Sequence, residues 1–112
     1  MKSFLKNIID PVLATDSQRK TEIWDVEGRL KNSNQIFKFD IRPIKAVSDN
    51  KLEKIGYFNT KADKMVFETI DHWIIFDVEE LNEYVKSTNK RDFNMDELLD
   101  NLSWNLILDK VE

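Results

Sequence analysis

The chain has 112 residues, 41% of them hydrophobic and 34% charged, which is typical of one globular domain and excludes a disordered chain. It has no cysteine, which excludes disulfides and thiolate metal sites and fits a cytoplasmic protein. The net charge is only −4, and no apolar run approaches the about 18 to 20 residues that span a bilayer, so no membrane association is expected.

The first 30 residues predict a helix followed by a strand. Apolar residues recur at helical spacing from Phe4 to Leu13, which predicts an amphipathic helix within residues 1–15. Pro11 would break the interior of that helix, so Asp10 and Pro11 could instead cap and begin a second one. From Thr21 to Leu30, apolar and polar residues alternate, which predicts a half-buried strand with Trp24 and Val26 on the same face.

The middle of the chain contains the clearest strand pattern. Between Gln35 and Val47, the residues Phe37, Phe39 and Ile41 are predicted to point one way, and Lys38, Asp40 and Arg42 the other. Pro43 should end or bulge this strand, because it cannot donate a hydrogen bond to a neighbour. Further on, Thr60 to Asp63 has the pattern of a capping box, which predicts a short helical turn.

The rest of the chain predicts a hairpin and two helices. Met65 to Glu68 and His72 to Asp77 are typical of paired strands, and the continuous apolar run within the second indicates burial on both faces. A helix should follow from about Val78 to Lys86, and a second capped helix should begin near Asn94. Trp104 to Leu108 fits either a last strand or a packed tail. We therefore expect a single α/β or α+β domain, with the sheet within residues 21–77 and helices within 78–112.

One segment carries a family resemblance. Gly56 to Phe67 reads GYFNTKADKMVF, and it is followed by the hairpin strand His72 to Asp77 and the helix that opens at Val78. It resembles the GWFYxTKADyyvF segment of small PD-(D/E)XK proteins, a restriction-endonuclease-like group common in phages and mobile elements. The resemblance covers about Phe37 to Val85. It implies a restriction-endonuclease-like core, in which a central mixed sheet is flanked by helices.

The resemblance also implies a catalytic site upstream of that segment. Members of the family carry an acid and a lysine two residues apart on one strand, and here these positions are Asp40 and Arg42. A second acid belongs on the preceding strand, where Asp25 is the candidate and Glu27 could substitute. Two carboxylates would bind Mg²⁺ as the cofactor, which activates water for attack on a DNA phosphodiester. Lys38 could supply the ammonium that arginine does not.

The same residues also allow a structural interpretation. An acid and an arginine two apart on a strand are commonly a surface ion pair that contributes little to stability. Asp10 and Asp16 are only weak candidates for the helical acid that the family often carries. The departure from lysine to arginine leaves two functions open, namely a Mg²⁺-dependent nuclease and a catalytically weakened nucleic-acid-binding derivative.

Charge distribution suggests partners and a second kind of function. Residues 16–64 contain 11 basic and 8 acidic residues, a surplus of +3, whereas residues 65–112 contain 4 basic and 12 acidic residues, a surplus of −8. A nucleic acid, DNA in the first instance, should therefore approach the first half. Alternatively, a noncatalytic phage-type inhibitor or accessory factor would present the acidic half to a nucleic-acid-processing protein. A nuclease of this size is expected to cut two strands as a homodimer.

Overall fold

The computed structural model describes residues 2–31, 33–43, 51–52, 59–88 and 93–110. The strands are β1 Ile8–Leu13, β2 Val26–Leu30, β3 Ile36–Pro43, β4 Lys51–Leu52, β5 Lys64–Glu68, β6 His72–Asp77, β7 Phe93–Asn94 and β8 Asn105–Asp109. The helices are α1 Lys2–Leu5, α2 Asp16–Thr21, α3 Val78–Thr88 and α4 Met95–Asn101. Within these ranges, none of the helices combines the length and apolarity needed to cross a membrane.

Six strands form one mixed sheet in the order β1-β2-β3-β5-β6-β8. Strands β3 and β5 run parallel, and every other neighbouring pair in this sheet is antiparallel. The short strands β4 and β7 pair separately. The protein therefore has an α+β fold in which helices flank a mixed sheet, as the sequence predicted at this level.

Two apolar clusters cover the two faces of the sheet. On β6, Ile74 and Phe76 join the cluster beneath α3 and α4, whereas Trp73 and Ile75 join the cluster that contains Phe4 of α1. All four β6 residues are buried, which confirms the prediction of a strand covered on both faces. Strand β3, which carries most of the candidate site, lies between β2 and β5 in the middle of this sheet.

The predicted N-terminal helix over residues 1–15 is wrong for most of its length. Only Lys2–Leu5 is helical before Ile8–Leu13 forms an edge strand. This strand tolerates Pro11 because it bulges there, with Asp10 at φ 54° and a register shift between Ile9 and Val12. Asp10 and Pro11 therefore do not begin a helix. The apolar pairs along this segment fit both periods, and the proline decides in favour of an edge strand.

The predicted strand over Thr21 to Leu30 is shorter than expected, because Asp16–Thr21 is helical and β2 begins at Val26. Helix α2 opens with a capping box in which Thr15 and Gln18 exchange hydrogen bonds. Ile23 has a φ of 58°, and the chain changes direction before the strand. As a result, Trp24 joins the cluster beneath α3, and Val26 joins the other one. Their predicted common face is therefore wrong.

The structure describes only part of the segment Gly56 to Phe67 that carries the family resemblance. Residues Gly56, Tyr57 and Phe58 lie outside the described residues. The turn predicted over Thr60 to Asp63 is not helical. Instead, the Thr60 hydroxyl donates to the carbonyl of Ile23, and Asp63 accepts from the backbone N–H of Lys38 at 2.9 Å. The polar side chains that suggested a cap therefore connect this segment to the loop before β2 and to β3.

Glu80 on α3 ties that helix to the connection between α4 and β8. Its carboxylate accepts hydrogen bonds from the Ser103 backbone N–H at 2.8 Å, the Ser103 hydroxyl at 2.6 Å and the Trp104 N–H at 3.0 Å. Burial opposes ionisation of Glu80, but these hydrogen bonds and the charge of Lys64 outweigh it and hold its pKa below the ordinary value of 4.5.

We expect Glu80→Gln to lower the free energy of unfolding at pH 7 by about 1 kcal/mol, because a neutral amide accepts these bonds less strongly. A folded-state pKa below the unfolded value means that the carboxylate stabilises the fold above about pH 4.5 and loses this effect as the pH falls through the folded pKa. Urea unfolding of the native protein and of Glu80→Gln, measured from pH 7 to pH 3, should therefore show the difference between their free energies of unfolding shrinking as the pH falls. Glu79→Gln, at the adjacent exposed position, is the matched control. If the difference in free energy of unfolding between the native protein and Glu80→Gln stays constant with pH, then the ionised Glu80 carboxylate does not stabilise the fold as described.

Candidate functional site

The candidate acids and Arg42 meet at the C-terminal half of β3. Asp40 and Arg42 belong to β3 itself, and Asp25 directly precedes the neighbouring strand β2. The main chain holds this junction in place, because the Asp25 N–H donates to the carbonyl of Phe39 at 2.8 Å. Two segments separated in sequence thus place their polar side chains at the same part of the sheet.

Asp40 and Arg42 form a bidentate ion pair. Arg42 Nε lies 3.3 Å from Asp40 Oδ1, and Arg42 Nη2 lies 2.9 Å from Asp40 Oδ2. The Asp40 side chain is only 6% exposed, whereas that of Arg42 is 38% exposed. Residues two apart on a strand project from the same face, as the spacing predicted. The ion pair is therefore half-buried, with the acid beneath and the guanidinium reaching towards solvent.

Asp25 is held against the same stretch of β3. Its Oδ2 accepts a hydrogen bond of 2.7 Å from the backbone N–H of Ile41. This N–H belongs to the peptide that joins Asp40 to Ile41, so the Asp25 carboxylate lies beside the residue that carries the second acid. The bond also gives Asp25 a structural role, since it serves as an acceptor for β3 just before β2 begins.

Lys38 does not join this group. Its Nζ lies 3.6 Å from Glu22 Oε1 and 5.2 Å from the ring centroid of Trp24. In this structure the ammonium of Lys38 therefore lies beside Glu22 and Trp24, and its role beside Asp40 stays a prediction. Glu27 lies opposite Lys38 in the β2–β3 ladder, and Asp25 is the acid that contacts the main chain beside Asp40.

Sequence reasoning missed the most buried cation of the described residues, Lys64 at the start of β5. It is 5% exposed, and its Nζ lies 3.0 Å from Asp77 Oδ1 and 3.9 Å from the ring centroid of Trp104. Asp77 in turn accepts from the Glu80 N–H at the beginning of α3. The hint in the sequence was a lysine directly before three buried apolar residues. The carboxylate of Asp77 compensates the positive charge of Lys64 within the fold.

The carboxylates do not fit a resident Mg²⁺ as they stand. Two carboxylates are a sufficient protein contribution for this ion, which keeps several waters. However, both oxygens of Asp40 face the guanidinium of Arg42, so an ion could bind there only by displacing an arginine. Across the described ranges, no three His, Cys, Asp or Glu side chains are grouped so that they could hold a metal ion.

Comparison with known proteins identifies no relative: no family model, no curated protein and no solved structure matches this chain.

Proposed function

We propose that the protein is a nucleic-acid-binding derivative of the PD-(D/E)XK scaffold, with weak or no Mg²⁺-dependent cleavage of DNA phosphodiesters. The observation that carries this proposal is the bidentate pair between Arg42 and Asp40. In an active member of that family a metal ion neutralises the strand acid. In this chain the guanidinium supplies the positive charge instead. A cytoplasmic location fits this role.

Arg42 is also the residue that we expect to contact a phosphate. More than a third of its side chain is exposed, and guanidinium presents five N–H donors in a planar fork that matches phosphate oxygens. The +3 surplus of residues 16–64 surrounds it with a mildly positive stretch of sequence. Asp40 would then orient the arginine through its two hydrogen bonds to the guanidinium.

Fluorescence anisotropy with labelled single-stranded DNA, duplex DNA and RNA at about 20 to 50 mM salt tests this proposal. We expect binding to at least one of them. Arg42→Met should weaken it and reduce the salt slope by about one phosphate contact. Arg19→Met on α2 is the matched control for loss of a positive charge. Absence of binding to all three probes by the folded protein would overturn the proposal.

Plasmid cleavage with Mg²⁺ or Mn²⁺ tests the weakened-site part separately. We expect the native protein to cleave no faster than Asp40→Asn, because Arg42 occupies the acid. Arg42→Lys restores the acid-X-lysine pattern and is the variant in which cleavage should increase. Rapid cleavage by the native protein that Asp40→Asn abolishes would show an active nuclease and contradict this part of the proposal.

A second candidate function is a noncatalytic inhibitor or accessory protein, of the kind that phages encode. The observation that favours it is the exposure of acidic side chains on the outer surfaces of α3 and α4, namely Glu79, Glu83, Asp96 and Asp100. Such a protein would bind a basic nucleic-acid-processing protein and would not bind DNA itself. Changing these four acids to Gln or Asn would weaken the complex with that protein. It would leave the nucleic-acid binding measured by fluorescence anisotropy the same as in the native protein.

A further inference from the structure

The two edges of the main sheet are built differently. At one edge, β1 contains Pro11, a positive φ at Asp10 and a break in register between Ile9 and Val12. Proline and bulges are features by which proteins prevent an edge strand from pairing with another chain. The β1 edge is therefore poorly suited to adding a further strand.

At the other edge, β8 is regular over all five residues. Its ladder with β6 runs without a shift from Asn105 opposite Phe76 to Asp109 opposite His72. The sequence NLILD has no proline, glycine or lysine, and its central Ile107 is 48% exposed. In the described part of the chain, no strand pairs with the outer side of β8. This edge lacks the protective features of β1.

The hydrogen-bond pattern shows which backbone groups face outwards. Next to β8, the Lys110 N–H donates to the carbonyl of Asp71. Residues of an antiparallel strand alternate between facing one neighbour and the other. The backbone N–H and C=O groups of Leu106, Leu108 and Lys110 therefore point to β6. Those of Asn105, Ile107 and Asp109 point to the outer side of the sheet.

We propose that β8 pairs antiparallel with β8 of a second copy of this chain, about a two-fold axis at Ile107. This register aligns all five residues and places outward-facing groups opposite each other. It sets Ile107 against its equivalent and Asn105 against Asp109 of the second copy. An amide then meets a carboxylate, and no like charges are opposed. A parallel arrangement in register would set Asp109 against Asp109.

Side-chain packing also supports a second copy of this chain as the partner of β8. Leu106 and Leu108 are half-buried and pack at the border of the cluster that contains Trp73. In the proposed register, Leu106 lies opposite Leu108 of the second copy, so the two clusters would become continuous across the interface. On the other face, each exposed Ile107 would cover its equivalent. The result is one closed dimer, because the bulged β1 edges do not extend it into a filament.

The mass in solution should therefore depend on concentration. Two five-residue strands bury less area than a standard interface, so we expect a weak dimer that forms over roughly 10 to 500 µM and is measured by analytical ultracentrifugation. Ile107→Lys should shift the midpoint of association at least tenfold towards higher concentration, because it places like charges together. Ile70→Lys, at a 72% exposed position in the β5–β6 turn, should leave it unchanged.

A cysteine variant provides a second measurement, since the native chain has no cysteine. Ile107→Cys should form a covalent dimer in mild oxidant faster than Ile70→Cys, because paired strand residues lie about 5.5 Å apart between Cα atoms, within the range that a disulfide spans. A chain that is monomeric throughout the range, or a dimer that Ile107→Lys leaves intact, would overturn the proposal. Equal cross-linking of the two cysteine variants would do so as well. None of these outcomes depends on nucleic-acid binding.

Discussion

Replacing Arg42 with methionine should lower the free energy of unfolding by about 2 to 4 kcal/mol at pH 7. Asp40 is 6% exposed on its side chain and has both oxygens paired with Arg42 at 2.9 and 3.3 Å. Methionine keeps most of the apolar stem of the arginine and removes its charge. The variant therefore leaves a carboxylate that is largely out of water without the guanidinium that compensates it.

Arg29→Met is the control for this change, because Arg29 is also a strand arginine with an aspartate partner. That partner, Asp10, has a side chain that is 88% exposed, and the closest N–O distance is 3.7 Å. Exposed pairs of this kind contribute under about 1 kcal/mol. Urea unfolding should therefore separate the two variants by more than about 1 kcal/mol. Equal losses would mean that the Asp40 carboxylate is better solvated than its burial indicates.

The double variant Asp40→Asn with Arg42→Met tests the cause directly. Neutralising the acid removes the uncompensated charge, so the double variant should be more stable than Arg42→Met alone, even though it carries one more substitution. If the double variant loses as much stability as the two single variants added together, then the loss in Arg42→Met does not come from the uncompensated charge of Asp40.

The same single variant addresses metal binding. Arg42→Met leaves Asp40 without its guanidinium, and Asp25 lies beside it through the hydrogen bond to Ile41. If the two carboxylates can share one ion, millimolar Mg²⁺ should raise the thermal midpoint of Arg42→Met and have little effect on the native protein. No shift in either protein would show that the carboxylates do not form an ion site even when the arginine is absent.

The sequence predicted those parts of the fold in which one local pattern dominates. Strand His72–Asp77 and the beginning of the next helix at Val78 are confirmed with their bounds. Asn94 accepts from the Glu97 N–H and begins α4, as its capping pattern predicted. A continuous apolar run indicates the strand, apolar periodicity indicates the helix at Val78, and a capping side chain marks the start of α4, so no distant contact is needed to decide these elements.

The sequence failed where tertiary contacts decide between local alternatives. Ile8–Leu13 fits a helix by spacing, but it becomes a strand because β2 offers an edge that accommodates Pro11. Thr60 resembles a helix cap, yet its hydroxyl bonds to Ile23, which is 37 residues away in the chain. For the site, spacing predicted the common face of Asp40 and Arg42. It could not predict that Lys38 would pair with Glu22, since that depends on how helix α2 ends.

Trp73→Ala should cause the largest loss among these variants, about 3 to 5 kcal/mol in the free energy of unfolding. Trp73 is fully buried near the start of β6, and its ring meets that of Phe4 edge-on with centroids 5.3 Å apart. Removing the indole would leave a cavity between α1 and the sheet, bounded by strands that are hydrogen-bonded on both sides and cannot easily collapse. Denaturant unfolding with an unchanged m-value would measure this loss cleanly.

Trp73→Phe should cost far less, about 1 kcal/mol, for a reason specific to this indole. Among the described residues no acceptor is found for its buried Nε1. Without an acceptor in that part of the chain, the buried N–H carries a desolvation penalty, and phenylalanine removes it while it shortens the ring. The relief offsets part of the lost packing.

Trp24→Phe is the matched comparison, because Trp24 is also buried but its Nε1 donates to Glu22 Oε1 at 3.0 Å. The identical chemical change there removes a satisfied hydrogen bond to a carboxylate, so we expect a loss of about 2 to 3 kcal/mol. The test is which variant, Trp73→Phe or Trp24→Phe, lowers the free energy of unfolding more. If Trp73→Phe is the more destabilising, then the Trp73 N–H has an acceptor in solution, and the cavity alone determines the cost of changing that residue.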